Sequence, residues 1–228
     1  MKNSFRRIET QLKNLSGNPQ GHAATRITRL SGLINGMIRK GSSHLSDIGS
    51  GIPEDIDANS KTTAAKRFIS NKWTDTETHF LPFLQSFLGG VLMFTKLDQG
   101  IVLVIDGSQT GKNNATLMVS LVWRNRAIPI IWFVKQGGKG HFKTADHIKV
   151  LQQAIEVLQS IIPFDIPVTV LGDGEFDSAD IQRLCLANKW NYVLRTACDT
   201  VFYEDGEAFH ARNISPPKGH DVMLIDQV

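Results

Sequence analysis

The stretch Ile101-Val-Leu-Val-Ile-Asp106 constrains the fold more than any other part of this chain. Its apolar residues, most of them β-branched, run between Gly100 and the Asp106-Gly107 pair. A short apolar run without alternation, bounded by turn residues, predicts a strand buried on both faces. Such a strand belongs inside an α/β sheet, where a carboxylate is costly unless it stands at the strand's mouth and meets positive charge. A second run repeats the design: Pro167-Val-Thr-Val-Leu171 leads into Gly172-Asp173-Gly174. If the two strands lie side by side and parallel, Asp106 and Asp173 end at the same edge of the sheet. Two carboxylates that close repel each other unless a cation lies between them. The expectation is a divalent-metal site at the carboxyl edge of an α/β sheet, with Asp106 and Asp173 as ligands.

The residues around these strands complete the sheet. Gly107 to Asn114 reads as a turn, Thr116 to Trp123 alternate as a second strand, and Ala127 to Val134 form a third after the Arg124-Asn125-Arg126 turn. Three runs so close in sequence predict an antiparallel meander. Thr144 is the expected cap of a helix with Ile148, Leu151, Ile155 and Leu158 on one face, ended by Pro163. Asp177 and Ser178 open another helix, with Ile181, Leu184 and Leu186 inward, before a strand over Asn191–Arg195. Right-handed crossovers place strands 167–171 and 191–195 parallel to 101–105. Asp205-Gly206, between Val201-Phe-Tyr and Ala208-Phe, predicts a hairpin.

The first ninety residues have a different character. Ile27, Leu30, Leu33, Ile34, Met37 and Ile38 fall at helical spacing between His22 and Lys40. Ser60 is a candidate cap for a helix carrying Lys61, Lys66 and Arg67, and Thr74 for a helix with Phe80, Leu81, Leu84, Phe87 and Leu88. Charge separates along the chain in the same way. Residues 1–75 hold 12 Lys and Arg against 6 Asp and Glu; residues 76–228 hold 13 against 16. A basic helical third favours a polyanionic partner, with a solvated helical surface as the competing explanation. The domain reading is a helical region over 1–90, a sheet core over 91–200 and a β-rich segment from 201 to 228.

Several other chemistries fit poorly. Gly107-Ser-Gln-Thr-Gly111-Lys112 has three residues between its glycines and Asn113 after its lysine. A phosphate-binding loop needs four residues and a Ser or Thr. No serine stands in a Gly-x-Ser-x-Gly elbow, and the seven histidines form no HExxH pattern; His141 and His147 read as surface residues. Cys185 and Cys198 have no metal-binding spacing, so a reducing, cytoplasmic setting is expected. No signal peptide is expected from the polar N-terminal stretch, and no apolar run is long enough to span a bilayer.

Three segments together carry a family resemblance: Leu103-Val-Ile-Asp106-Gly-Ser-Gln-Thr-Gly-Lys, Leu121-Val-Trp-Arg-Asn-Arg-Ala-Ile-Pro-Ile130 and Leu171-Gly-Asp-Gly-Glu-Phe-Asp177. They resemble the bacterial insertion-sequence DDE transposases of the insertion-sequence-four type. Lys66-Arg-Phe-Ile69 and the small-residue helix around Gly32 to Met37 resemble that family's N-terminal region. The likeness runs from about residue 25 to about residue 210. It implies a ribonuclease H-like mixed sheet with flanking helices, preceded by an all-helical N-terminal domain. It also implies a nucleoid-associated enzyme that binds double-stranded DNA, at transposon ends and target, as a possible homodimer. Phosphodiester hydrolysis and strand transfer would use two Mg2+ (or Mn2+) ions.

By that resemblance Asp106 and Asp173 are the first two catalytic and metal-binding carboxylates, and Lys61, Lys66, Arg67 and Lys72 grip DNA phosphates. The family's third carboxylate lies in a Tyr-x-x-Arg-x-x-x-Glu-x6-Lys pattern on a late helix. Here Tyr192-x-x-Arg195 is followed by Asp199 and no matching lysine. Glu175 is expected to point into the following helix, and Glu204 and Glu207 fall on the hairpin. The chain therefore reads as a C-terminally truncated transposase. The alternatives are a DNA-binding remnant that inhibits an intact transposase, and a metal-dependent nuclease that needs no transposon end.

Overall fold

The computed structural model describes residues 2–94, 100–138, 142–163, 165–215, 217, 219 and 220. His141 and the apolar Met223–Ile225 lie outside them. The chain divides into two compact units, Met1–Gly90 and Val91–Val228.

The elements of the N-terminal ninety residues are all helices: α1 (Lys2–Leu15), α2 (Gly21–Lys40), α3 (Leu45–Gly49), α4 (Ala58–Ile69), α5 (Thr76–His79) and α6 (Leu81–Phe94), the last running four residues further. The apolar stripe of α2 turns Leu33 inward against Ile48, Ile52, Ala65 and Phe68. The backbones meet more closely here than side chains allow. A Cβ on Gly36 would stand 2.0 Å from the Ile48 carbonyl oxygen, and one on Gly51 2.2 Å from the Gly32 carbonyl oxygen. Two expected caps move by one to three residues. Asp57 rather than Ser60 caps α4, its carboxylate accepting the Ser60 N–H at 3.0 Å. Asp75 rather than Thr74 caps α5, accepting the Thr78 N–H at 2.7 Å. Both aspartates outrank hydroxyl caps because an ionised acceptor also meets the positive end of the helix.

The second unit is mixed α/β. Strands β1 (Ile101–Gln109), β2 (Asn114–Trp123) and β3 (Arg126–Gln136) form the meander, followed by α7 (Thr144–Gln159), β4 (Val168–Gly172), α8 (Ala179–Ala187) and β5 (Asn191–Leu194). The five-stranded sheet has the order β3-β2-β1-β4-β5. β1 pairs antiparallel with β2 and parallel with β4, and β4 pairs parallel with β5. Arg124 and Asn125 both take positive φ, the geometry that turns a two-residue hairpin between twisted strands. Pro129 sits in β3, an edge strand, beside the register shift at Val119/Ser120, where a missing N–H is tolerated. A second hairpin, β6 (Val201–Glu204) and β7 (Glu207–His210), turns on Asp205-Gly206, and α9 (Ala211–Ile214) follows.

The burial of β1 is asymmetric. Ile101, Leu103 and Ile105 are buried, whereas Val102 and Val104 are half-buried, so the expected two-sided burial holds fully for one face only. Leu103, Leu117, Ile130, Val170, Leu151 and Leu158 are completely enclosed. Each such side chain contributes about 1.5–3 kcal/mol through removal from water. Thr144 opens α7 as its first residue, with Lys143 at the cap position. The buried stripe of α7 is His147, Val150, Leu151, Ala154, Ile155 and Leu158; it contains the expected Leu151, Ile155 and Leu158, with Ile148 half-buried at its edge. In α8, Ile181 and Cys185 point inward and Leu186 is exposed.

Candidate functional site

The parallel pairing of β1 with β4 sets the geometry. Partners run from Ile101↔Val168 to Ile105↔Gly172. The next residue on each chain is an aspartate, so Asp106 and Asp173 stand abreast where the parallel pairing stops. Alternation along β1 turns Asp106 to the face opposite Ile105 and Gly107, while Asp173 follows directly after the last residue of β4. Asp106 is not at the end of its own strand. β1 continues to Gln109, paired with β2 through Asp106↔Met118 and beyond, so the turn expected from Gly107 begins only at Thr110. With β2 starting at Asn114, no helix follows the Gly107–Lys112 segment, as a phosphate-binding loop requires.

Both carboxylates are exposed. Asp106 accepts a hydrogen bond from the Ser108 hydroxyl at 3.0 Å, and Asp173 accepts the Glu175 N–H at 3.0 Å. Among the described residues neither has a Lys or Arg partner. Adjacent carboxylates without a neutralising side chain suit a hard divalent cation, which prefers oxygen donors. Among the described residues no three His, Cys, Asp or Glu side chains are already gathered closely enough to hold one.

Beside this pair lie two residues that the sequence placed elsewhere. His147, expected on the surface, is 3% exposed. Its ring meets Phe176 at 4.8 Å between centroids. Glu175, expected to point into the following helix, instead folds back over β1. A Cβ on Gly107 would lie 3.6 Å from Glu175 Oε2, with the Phe142 ring next to it. His147 Nε2 and Glu175 Oε1 approach to 3.8 Å, too far for a hydrogen bond. Both atoms are buried and without a hydrogen-bond partner. Burial pushes the His147 imidazolium down from its ordinary pKa, against the pull of the Glu175, Asp146 and Asp173 carboxylates. The signal that could have found His147 is helical: it stands three and four residues before the enclosed Val150 and Leu151, on the face α7 turns to the core.

The candidate DNA-binding residues of the first unit do not form one patch. Lys61, Lys66 and Arg67 share α4, but at about 100° per residue they fan over about 220° of its circumference. Arg67 joins Arg26 and Arg29 of α2 around a groove of about 490 Å³, with Thr25, Ser60 and Asn71 also on its wall. Arg29 is paired with Glu54 at 2.7 Å, and the buried Arg26 Nε has no hydrogen-bond partner. Lys61 lines a separate hollow with Arg6 and Arg39. Lys66 is exposed, and the Lys72 ammonium lies 5.3 Å from the Trp73 ring centre. Arg26 and Arg29 escaped sequence reading because α2 presents them beside α4 only once the helices pack.

Compared with models of known protein families the chain matches none, and comparison with curated proteins likewise finds no match. Among the described residues no helix is long and apolar enough to cross a membrane.

Proposed function

We propose that this chain is a DNA transposase of the insertion-sequence DDE type, with a ribonuclease H-like core, in which Asp106 and Asp173 hold divalent metal and the basic helical unit binds DNA. The observation that carries the reading is the register Ile105↔Gly172, after which the two aspartates follow abreast, neither with a Lys or Arg partner among the described residues. The order of elements supports it: an antiparallel meander, a helix, a parallel strand, a helix and a further parallel strand follow the ribonuclease H-like core.

In that function Mg2+ or Mn2+ would activate a water, and later a DNA 3′-hydroxyl, and stabilise the leaving oxygen of the phosphodiester. Asp106 and Asp173 supply the anionic oxygens that bind and orient the ions. Gly174 follows Asp173 exposed and without a side chain, leaving room for a DNA backbone to approach, whereas Gly107 is buried beneath Glu175 and Phe142. Arg26, Arg29 and Arg67 offer planar guanidinium donors to phosphates along one groove. The proteins would act on double-stranded DNA as a dimer, in the cytoplasm with the nucleoid.

The test is nicking of a supercoiled plasmid that carries the chain's own coding region and flanking DNA. The expected result is cleavage in Mn2+ or Mg2+ at the flanks, abolished in Asp106→Asn and in Asp173→Asn. Cleavage that survives either substitution overturns the site assignment. DNA binding with no nicking in any ion returns the chain to a DNA-binding remnant, and equal cutting of a plasmid without those flanks makes it a nuclease.

A further inference from the structure

Arg6 of α1, Arg39 of α2 and Lys61 of α4 line one hollow of about 390 Å³ in the helical unit. Among the described residues none of the three is in an ion pair, and no Asp or Glu stands on the wall they share. Acids on the neighbouring segments are engaged elsewhere. Glu9 holds Lys13 at 2.6 Å, Glu54 holds Arg29 at 2.7 Å, and the Asp57 carboxylate caps α4. Three like charges delivered by three separate helices to one wall repel one another unless an anion lies among them.

A buried amide on the same wall gives an independent sign of a ligand. Asn35 lies in the interior of α2 and is 4% exposed. Its Oδ1 accepts the Ser4 hydroxyl at 3.0 Å. Its Nδ2 carries two N–H groups, yet the Gly51 carbonyl that it meets is 3.5 Å away, at the limit of hydrogen bonding. A buried amide with donor capacity to spare is stabilised by an acceptor that enters the hollow.

The arrangement selects among anions. A phosphate monoester presents three acceptor oxygens and a charge of about −1.5 to −2 at pH 7, enough to answer several cations and an amide together. A phosphodiester in duplex DNA carries one charge on the outside of a rod. It can reach Arg6 and Arg39, which are exposed, but not an amide as buried as Asn35. Phe5 and Pro53 supply an apolar part of the wall, suited to a flat body beside the phosphate. The volume is that of a small-molecule site.

We propose that this hollow binds the terminal phosphate monoester of a small molecule of the mononucleotide class. Arg6, Arg39 and Lys61 meet the phosphate, Asn35 donates to one of its oxygens, and the base lies against Phe5. The inference does not rest on the reading of Asp106 and Asp173. It separates Lys61 from the arginines assigned to the DNA backbone.

The experiment is calorimetric titration of the full chain with adenosine 5′-monophosphate, its cyclic diester, adenosine and inorganic phosphate, alongside a blunt DNA duplex. The expected result is that the monoester binds, the cyclic diester binds about tenfold or more weakly, and adenosine does not bind. Affinity for the monoester rises with pH through about 6, where it takes its second negative charge. Arg39→Gln and Lys61→Gln each weaken it about fivefold or more and change duplex binding by less than about twofold. Asn35→Asp, which sets a carboxylate against the phosphate, abolishes binding of the monoester; if that variant fails to fold, the exposed Arg39→Gln still decides. Equal binding of monoester and cyclic diester overturns the inference, as does monoester binding that is unchanged in Arg39→Gln and Lys61→Gln. Inorganic phosphate bound as tightly as the nucleotide overturns the nucleotide assignment. No binding of the monoester, with duplex affinity lost in both variants, overturns the inference, makes the hollow part of the DNA-binding surface and leaves the transposase reading standing.

Discussion

The two units of this chain build close contacts by opposite means. In Met1–Gly90 the backbones of α2 and α3 meet through missing side chains, at Gly36 and Gly51. In Val91–Val228 the strands meet through filled space, with Leu103, Leu117, Ile130 and Val170 fully enclosed. Charge divides along the same line. Residues 1–90 hold 12 basic against 7 acidic residues, and residues 91–228 hold 13 against 15. The basic unit has its arginines on helix faces, whereas the sheet unit has carboxylates where parallel pairing ends. The lesson is that fold and candidate chemistry come from different residues in each unit, so they can be separated by substitution.

The largest effect is expected where a side chain has no space. Gly36→Ala puts a methyl group against the Ile48 carbonyl and should cost about 3 kcal/mol or more, since neither backbone can yield cheaply. Urea denaturation checks it. Next comes Leu103→Ala in the filled core, with a cost of about 2–5 kcal/mol. Asp106→Asn, three residues further along the same strand, should change stability by less than about 1 kcal/mol, because the side chain is exposed. A large loss there would mean that the carboxylate is structural and would break the comparison. Gly111→Ala is the control for backbone conformation alone: its φ is +68° with open space around it, so only about 1–2 kcal/mol of strain is expected.

Smaller effects test the charge division. Replacing Arg26, Arg29 and Arg67 singly by Gln should weaken binding to duplex DNA and lower the dependence of log affinity on log salt by up to about 1 each. Lys61→Gln, in the other hollow, distinguishes a groove from a diffuse basic surface: an equal loss there would favour the surface. The smallest effect concerns thiols. Cys198 is exposed and should react with a disulfide reagent in the native protein at pH 8. Cys185 is fully enclosed, burial pushes its thiol up to about 11, and it should react only on unfolding. Two fast thiols would show that α8 does not pack as described.

Much of the sheet was legible because its signals are local. The apolar runs ending in Asp106 and Asp173, the Arg124-Asn125 turn and the Asp205-Gly206 hairpin each declare themselves within ten residues. Helix caps were legible only approximately, because Asp57 and Asp75 stand one to three residues from Ser60 and Thr74, and any of them could serve. The candidate site was half legible. Strand-end aspartates follow from the pattern, but His147 and Glu175 meet across 28 residues, through the packing of α7 on the sheet and the turn after β4. Nothing in either local stretch specifies that meeting. The arginine groove escaped for the same reason, since it exists only between α2 and α4.

The most direct test of the carboxylate edge is iron-mediated cleavage of the polypeptide. Fe2+ bound in place of the native ion, with ascorbate and peroxide, releases radicals that cut the nearest backbone, and mass spectrometry reads the fragments. The prediction is paired cleavage close to Asp106 and close to Asp173, suppressed by excess Mn2+ and absent in Asp106→Asn. Cleavage confined to other parts of the chain, or unchanged in Asp106→Asn, would contradict a metal site at this edge.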